Sequence, residues 1–175
     1  MRSLCRLAAM LPLLTAPLVA QELPGPLRLR GITFDHWDGG GQALLNPTLR
    51  ANNLTRGRLG SDFALVFFPD GISFRPPIVT AGLQAGLAYR ISAGPASVLL
   101  KGGGDAIVVA GVGGEQMLHI VPGVHWGFGL LIPLDAKSLI RADLTRHLYT
   151  RDSRRVGLWS FGVGFAAPVG GSRNR

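Results

Sequence analysis

From residue 27 onward the chain alternates apolar side chains with small or polar ones. The stretch "VGLWSFGVGF", residues 156–165, sets Trp159, Phe161, Val163 and Phe165 at every second position, with Ser160, Gly162 and Gly164 between them. Side chains of a strand point alternately to opposite faces, so this period of two predicts a strand with one apolar face. In 138–150, Ile140, Ala142, Leu144 and Leu148 oppose Arg141, Asp143, Thr145 and His147. Arg146 interrupts the apolar side near one end, where a long cation can reach an interface. In 118–133, Val124, Trp126, Phe128, Leu130 and Ile132 oppose Gly123, His125, Gly127 and Gly129. In 78–91, Leu83, Ala85, Leu87, Tyr89 and Ile91 oppose Gln84, Gly86, Ala88 and Arg90. The segment 43–53 sets Leu45, Leu49 and Ala51 against Asn46, Thr48, Arg50 and Asn52, and 96–109 sets Lys101 and Asp105 against Val98 and Leu100. Residues 27–37 are the least regular, because Arg28 and Arg30 share parity with Ile32 and Phe34.

With 58–69 these make eight predicted strands, separated by short runs rich in Gly, Pro, Asp and Ser. No segment of convincing length has the helical period. No later apolar run reaches the ~18 residues of a membrane-spanning helix. The polar faces mix both charge signs with small residues. They could face water in an open sheet or soluble sandwich, or fill a narrow lumen as a paired network. Only 16% of residues are charged, 25 are glycine and two are lysine (Lys101 and Lys137). That composition favours the lumen. The expected fold is all-β: an eight-stranded antiparallel up-and-down transmembrane β-barrel, closed so that every backbone group is paired. Arg50, Asp62, Arg90, Lys101, Asp105, His125, Arg141, Asp143 and His147 are then expected to form a lumenal polar network. Asp143 is its expected centre, because Arg141 shares its face two residues away. Trp126, Phe128, Trp159, Phe161 and Phe165 are expected to face lipid.

The first twenty residues read as a secretory signal: Arg2 and Arg6, an apolar stretch from Leu7 to Leu14, then small residues ending at Ala20. Residues 21–166 form the expected barrel domain and 167–175 a C-terminal tail. Cys5 is the only cysteine and lies in the leader, so a mature chain has no disulfide. The net charge of +8 invites nucleic acid or anionic lipid as a partner. The basic residues are scattered through strand-like segments without a run of interleaved aromatics, which argues against nucleic acid.

The leader "LAAMLPLLTAPLVA", the strand "RADLTRHLYTRD" and the aromatic strand "LWSFGVGF" together resemble the small eight-stranded outer-membrane β-barrels of bacteria. The resemblance covers residues 27–165. It implies a bacterial outer-membrane location reached through a cleavable signal, with membrane lipids and the barrel-insertion machinery as partners. It also implies an N-terminus on the periplasmic side. The segments 38–42, 70–77, 110–117 and 151–155 would lie outside the cell, and 54–57, 92–95 and 134–137 would be periplasmic turns. Such barrels often end on an aromatic residue, whereas "AAPVGGSRNR" follows Phe165 here.

Candidate chemistry is sparse. His36, His119, His125 and His147 lack metal-ligand spacing, and no metal or other cofactor is expected. The glycine runs at 39–41 and 111–114 precede no helix that would bind phosphate. "NLT" at 53–55 reads as a chance match to a glycosylation acceptor. "TRHLYTRDS" resembles weakly the motif of outer-membrane lipid esterases around His147. Those place serine two residues after the histidine, where this chain has Tyr149, with Ser153 the next serine. A histidine base must reach its nucleophile within hydrogen-bond distance. The bland role for His147 is a lumenal residue beside Asp143. Three functions stay open: a structural or interaction barrel without catalysis, a lipid-acting esterase around His147, and a soluble periplasmic lipocalin-like carrier of an apolar ligand. The last requires bulky side chains to point inward.

Overall fold

The computed structural model of the protein describes residues 27–38, 45–55, 58–69, 73–74, 77–111, 117–151 and 154–169. The expected leader, most of the expected tail and Ser153 lie outside them. The strands are β1 (Leu27–Trp37), β2 (Asn46–Thr55), β3 (Leu59–Phe67), β4 (Ser73–Phe74), β5 (Pro77–Ala93), β6 (Ala96–Gly111), β7 (Met117–Pro133), β8 (Leu139–Arg151) and β9 (Arg154–Pro168). Eight of them are long. Each long strand pairs antiparallel with its chain neighbours, and β1 pairs with β9, which closes an eight-stranded barrel. The two-residue β4 was not expected; it folds back on the start of β5. Strand ends differ from the sequence reading by up to three residues. β9 continues past Phe165 to Pro168, so the aromatic strand is extended rather than capped at its last aromatic.

The register fixes the shape. Hydrogen-bonded partners lead from Gly31 through Arg50, Ala64, Gln84, Asp105, Gly123 and Tyr149 to Val156. Gly31 also pairs directly with Ala166 of β9, so one circuit advances ten residues along that strand. With eight strands this stagger tilts them about 40° from the barrel axis and leaves an interior that side chains can fill. One end of the barrel carries the tight connections after β2, β5 and β7; we call it the turn end and the other the loop end. Gly94, with φ of 59°, serves the β5–β6 turn, where a left-handed backbone suits glycine.

The two faces divide as the alternation predicts. Trp126, Phe128, Trp159, Phe161 and Phe165 are 43–62% exposed on the outer wall, with Phe34, Leu49, Phe63, Leu83 and Leu87 beside them. In β1 the ambiguity resolves simply. Arg28 and Arg30 point outward with Ile32 and Phe34, near the turn end, and Leu29, Thr33, Asp35 and Trp37 point inward. Arg146 also sits on the outer wall, its guanidinium 5.2 Å from the ring centre of Trp159. A lipocalin-like carrier would need bulky side chains lining an inward cavity; here most aromatics face out, and the inward apolar side chains pack against one another at the two ends of the interior.

The interior is layered. At the turn end Leu27, Leu29, Leu54, Ala88, Leu99, Leu131, Leu139 and Ala166 form a buried apolar cluster. At the loop end Trp37, Val66 and Tyr149 form another, with Phe68, Ile107, Val121 and Leu158 packed on it. The fully buried charged residues lie between these two layers.

Candidate functional site

The central layer is built around Asp143 of β8. Arg141 of the same strand donates from Nε to Asp143 Oδ2 at 2.6 Å and from Nη2 to Oδ1 at 3.0 Å. Lys101 Nζ of β6 donates to Oδ1 at 2.7 Å, and Arg50 Nε of β2 lies 3.4 Å from Oδ2. Two further carboxylates complete the set. Arg50 Nη2 donates to Asp35 Oδ2 at 2.5 Å, and Thr33 Oγ1 donates to Asp35 Oδ1 at 2.6 Å. Arg141 Nη1 donates to Asn52 Oδ1 at 2.5 Å, while Asn52 Nδ2 donates to Asp62 Oδ1. Three cations, Arg50, Lys101 and Arg141, thus meet three anions, Asp35, Asp62 and Asp143, all buried. A buried charge is tolerable only when paired and hydrogen-bonded in this manner.

Glycine makes room for the pairs. A methyl group at Gly162 of β9 would strike the Asp35 carboxylate, and one at Gly129 would lie 2.9 Å from Asp143 Oδ1. Gly162 of β9 and Gly129 of β7 therefore accommodate charge projected from a neighbouring strand.

A second group lies nearer the loop end. His147 of β8 donates from Nδ1 to Asp105 Oδ2 of β6 at 2.5 Å. A carboxylate only accepts, so this bond fixes the tautomer of the neutral ring. Its Nε2 then accepts from the Ser160 hydroxyl of β9 at 2.9 Å. Trp37 stacks on the imidazole with centroids 4.2 Å apart, and Tyr149 stacks on it at 6.1 Å. His125 of β7 stands 6.3 Å from it, centre to centre. His147 was expected beside Asp143, and that is corrected. The two share a face four residues apart, about 13 Å along a strand, so the partner comes instead from β6, two strands away.

Of the nine residues expected inside, eight are buried in these two groups. Arg90 lies on the inward side at the turn end, partly buried, where its Nε donates to Ser97 Oγ at 3.0 Å. Sequence reasoning missed Asp35, Thr33 and Trp37, which the irregular parity of β1 concealed. It also missed Ser160 as a partner of His147, because the esterase motif directs attention along one strand while the contact crosses to the next. Among the described residues no three His, Cys, Asp or Glu side chains are grouped to hold a metal ion.

No family model matches this sequence, and no curated protein matches it significantly. Solved structures do match the fold. The N-terminal β-barrel domain of Pseudomonas aeruginosa OprF aligns over 83% of this chain and 99% of its own, with a TM-score of 0.63 and 10% identity. Neisserial surface protein A aligns over 82% and 94%, with a TM-score of 0.54 and 11% identity. The outer membrane protein OprG of Pseudomonas aeruginosa aligns over 85% and 97%, with a TM-score of 0.54 and 12% identity. The chain has the fold of the small eight-stranded outer-membrane β-barrels. At such low identity the likeness is one of architecture.

Proposed function

We propose that the protein is a bacterial outer-membrane β-barrel, exported with a cleavable signal and inserted by the barrel-assembly machinery, with a structural or interaction role and no open pore. The filled lumen carries this reading. A charge-balanced cluster spans the interior between two apolar layers, and a conducting pore needs a continuous water path instead. The apolar outer wall, with aromatics on several strands, suits hydrocarbon. The test pairs two measurements on the purified mature chain. Folded barrels of this kind should migrate differently on a gel before and after boiling in SDS. In planar bilayers the protein should give no large, stable conductance. Wide, long-lived channels would overturn the closed-lumen reading, and a chain that stays folded and soluble without detergent would overturn the membrane reading.

One observation favours a second reading. Ser160, His147 and Asp105 have the connectivity of a nucleophile, a base and an orienting acid. They lie under Trp37 and Tyr149, and Ser160 is 2% exposed. Hydrolysis would require that cover to open. Covalent labelling of the folded protein by a fluorophosphonate, lost in Ser160→Ala, would support the esterase; unlabelled folded protein would leave the structural role.

A further inference from the structure

The outer wall is not evenly filled. Across β1, β2, β3, β5 and β6 it carries a hollow of about 710 Å³, lined mainly by apolar side chains and bordered by Arg30. Residue size explains it. One hydrogen-bonded row runs outward-facing through Arg30, Ala51, Phe63, Ala85 and Gly104. Three of these five carry at most a methyl group, while Leu49, Leu65 and Leu83 project along one side. The row crosses four strand spacings, about 19 Å. The ten-residue stagger makes it climb from the turn end toward the loop end. One leaflet of a bilayer holds about 15 Å of hydrocarbon, so the groove has the length and tilt to seat one acyl chain.

Its lower end is cationic and organised. Arg30 is exposed, yet Nη1 donates to the Leu29 carbonyl at 2.9 Å, and Nη1 and Nη2 both reach Asn53 Oδ1 at 3.2 Å. These bonds hold the guanidinium flat against the wall at the mouth of the groove. Arg28 points the same way two residues nearer the turn end. Two outward arginines beside an apolar channel complement an anionic head joined to an apolar tail. Guanidinium is well suited to phosphate oxygens. We propose that this groove binds one anionic phospholipid, with its phosphate on Arg30 and Arg28 and an acyl chain along Ala51, Ala85 and Gly104. The inference rests on the membrane-barrel reading above.

The experiment is native mass spectrometry of the mature, detergent-folded chain, released after incubation with phosphatidylglycerol or with phosphatidylcholine of the same chain length. The wild type should retain one phosphatidylglycerol in preference to phosphatidylcholine. Arg30→Gln should lower that retention about fivefold, the factor for one basic residue at an anionic surface. Ala85→Phe, which fills the groove, should lower retention of both lipids. Arg155→Gln, at the opposite end of the barrel, should change neither. Equal retention of the two lipids by the wild type would overturn the proposal. So would wild-type retention by both groove variants, or a dimer in place of a lipid-bound monomer. The heat-modifiable gel shift is read on each sample. Its absence from the wild type would defeat the membrane-barrel reading; its presence without lipid preference would defeat the groove alone.

Discussion

The Asp143 cluster and the His147 group are about equally buried, yet they close their charge differently. Around Asp143 three cations meet three anions, and the contacts draw on β1, β2, β3, β6 and β8. Around His147 a single carboxylate meets an imidazole that passes one hydrogen bond on to a hydroxyl, under aromatic rings. The first group depends on permanent charge. The second needs none on the ring, because a neutral imidazole satisfies both neighbours. Removing Asp143 from the first strands buried cations; removing Ser160 from the second strands only a polar atom. The first loss is the larger of the two.

The comparison is broken most directly at Asp143. Asp143→Ala leaves Arg50, Lys101 and Arg141 against two carboxylates in a poorly hydrated interior. A loss of about 3–5 kcal/mol is expected for breaking a buried pair, read from urea unfolding in detergent. Unchanged stability would mean that water reaches the cluster. Gly162→Ala tests the same cluster without removing a charge. The added methyl group must displace Asp35 from Arg50, and a cost of about 1–3 kcal/mol is expected for overpacking. Asp105→Asn then sharpens the contrast. If His147 is neutral, the loss should be about 1–3 kcal/mol, that of a weakened buried hydrogen bond. A loss equal to that of Asp143→Ala would show that the imidazole is charged and that the two groups are alike. Ser160→Ala should cost least, about 0.5–1.5 kcal/mol for one hydrogen bond. A larger loss would give the serine more than a terminal role.

Outside the membrane-spanning part, the β7–β8 turn provides a reference. The Ser138 side chain and the Lys137 backbone N–H donate to the Asp135 carboxylate and hold its pKa below the ordinary aspartate range. A depressed pKa contributes stability that is present above the unfolded value and is lost as pH falls through the folded one. The Lys137 amide signal should therefore shift only in acid, at a pH below that of a free aspartate. Asp135→Asn should abolish the shift; its persistence would assign the titration elsewhere.

Much of the fold was legible because alternation is a local property. Val124 to Ile132 and Trp159 to Phe165 declare their faces without reference to any other strand. Even the centre of the lumen could be read, since Arg141 and Asp143 share a strand and a side. What alternation does not carry is the stagger between strands. Ser160 pairs in register with Thr145, and His147 with Leu158, so the serine reaches the imidazole diagonally. No single-strand motif encodes that contact. Asp35 escaped for another reason. Arg28 and Arg30 are tolerated on the outer wall near its turn end, and their presence there blurred the parity that would have assigned the aspartate inward.

The stagger also bears on assembly. The Arg141–Asn52 bond joins residues 89 apart in the chain, and the Lys101–Asp143 bond joins residues 42 apart. No single hairpin contains all the partners of Asp143: Arg141 shares its strand, but Lys101 and Arg50 come from β6 and β2. The Arg50–Asp35 and Arg141–Asp143 pairs form within one hairpin and one strand, whereas Lys101 meets Asp143 only across β7. Contacts between such distant segments form slowly and late. Only in the closed barrel do β2 and β3 bring Arg50 and Asp62 up to the Arg141–Asp143 pair, so closure is the step that completes the ionic core.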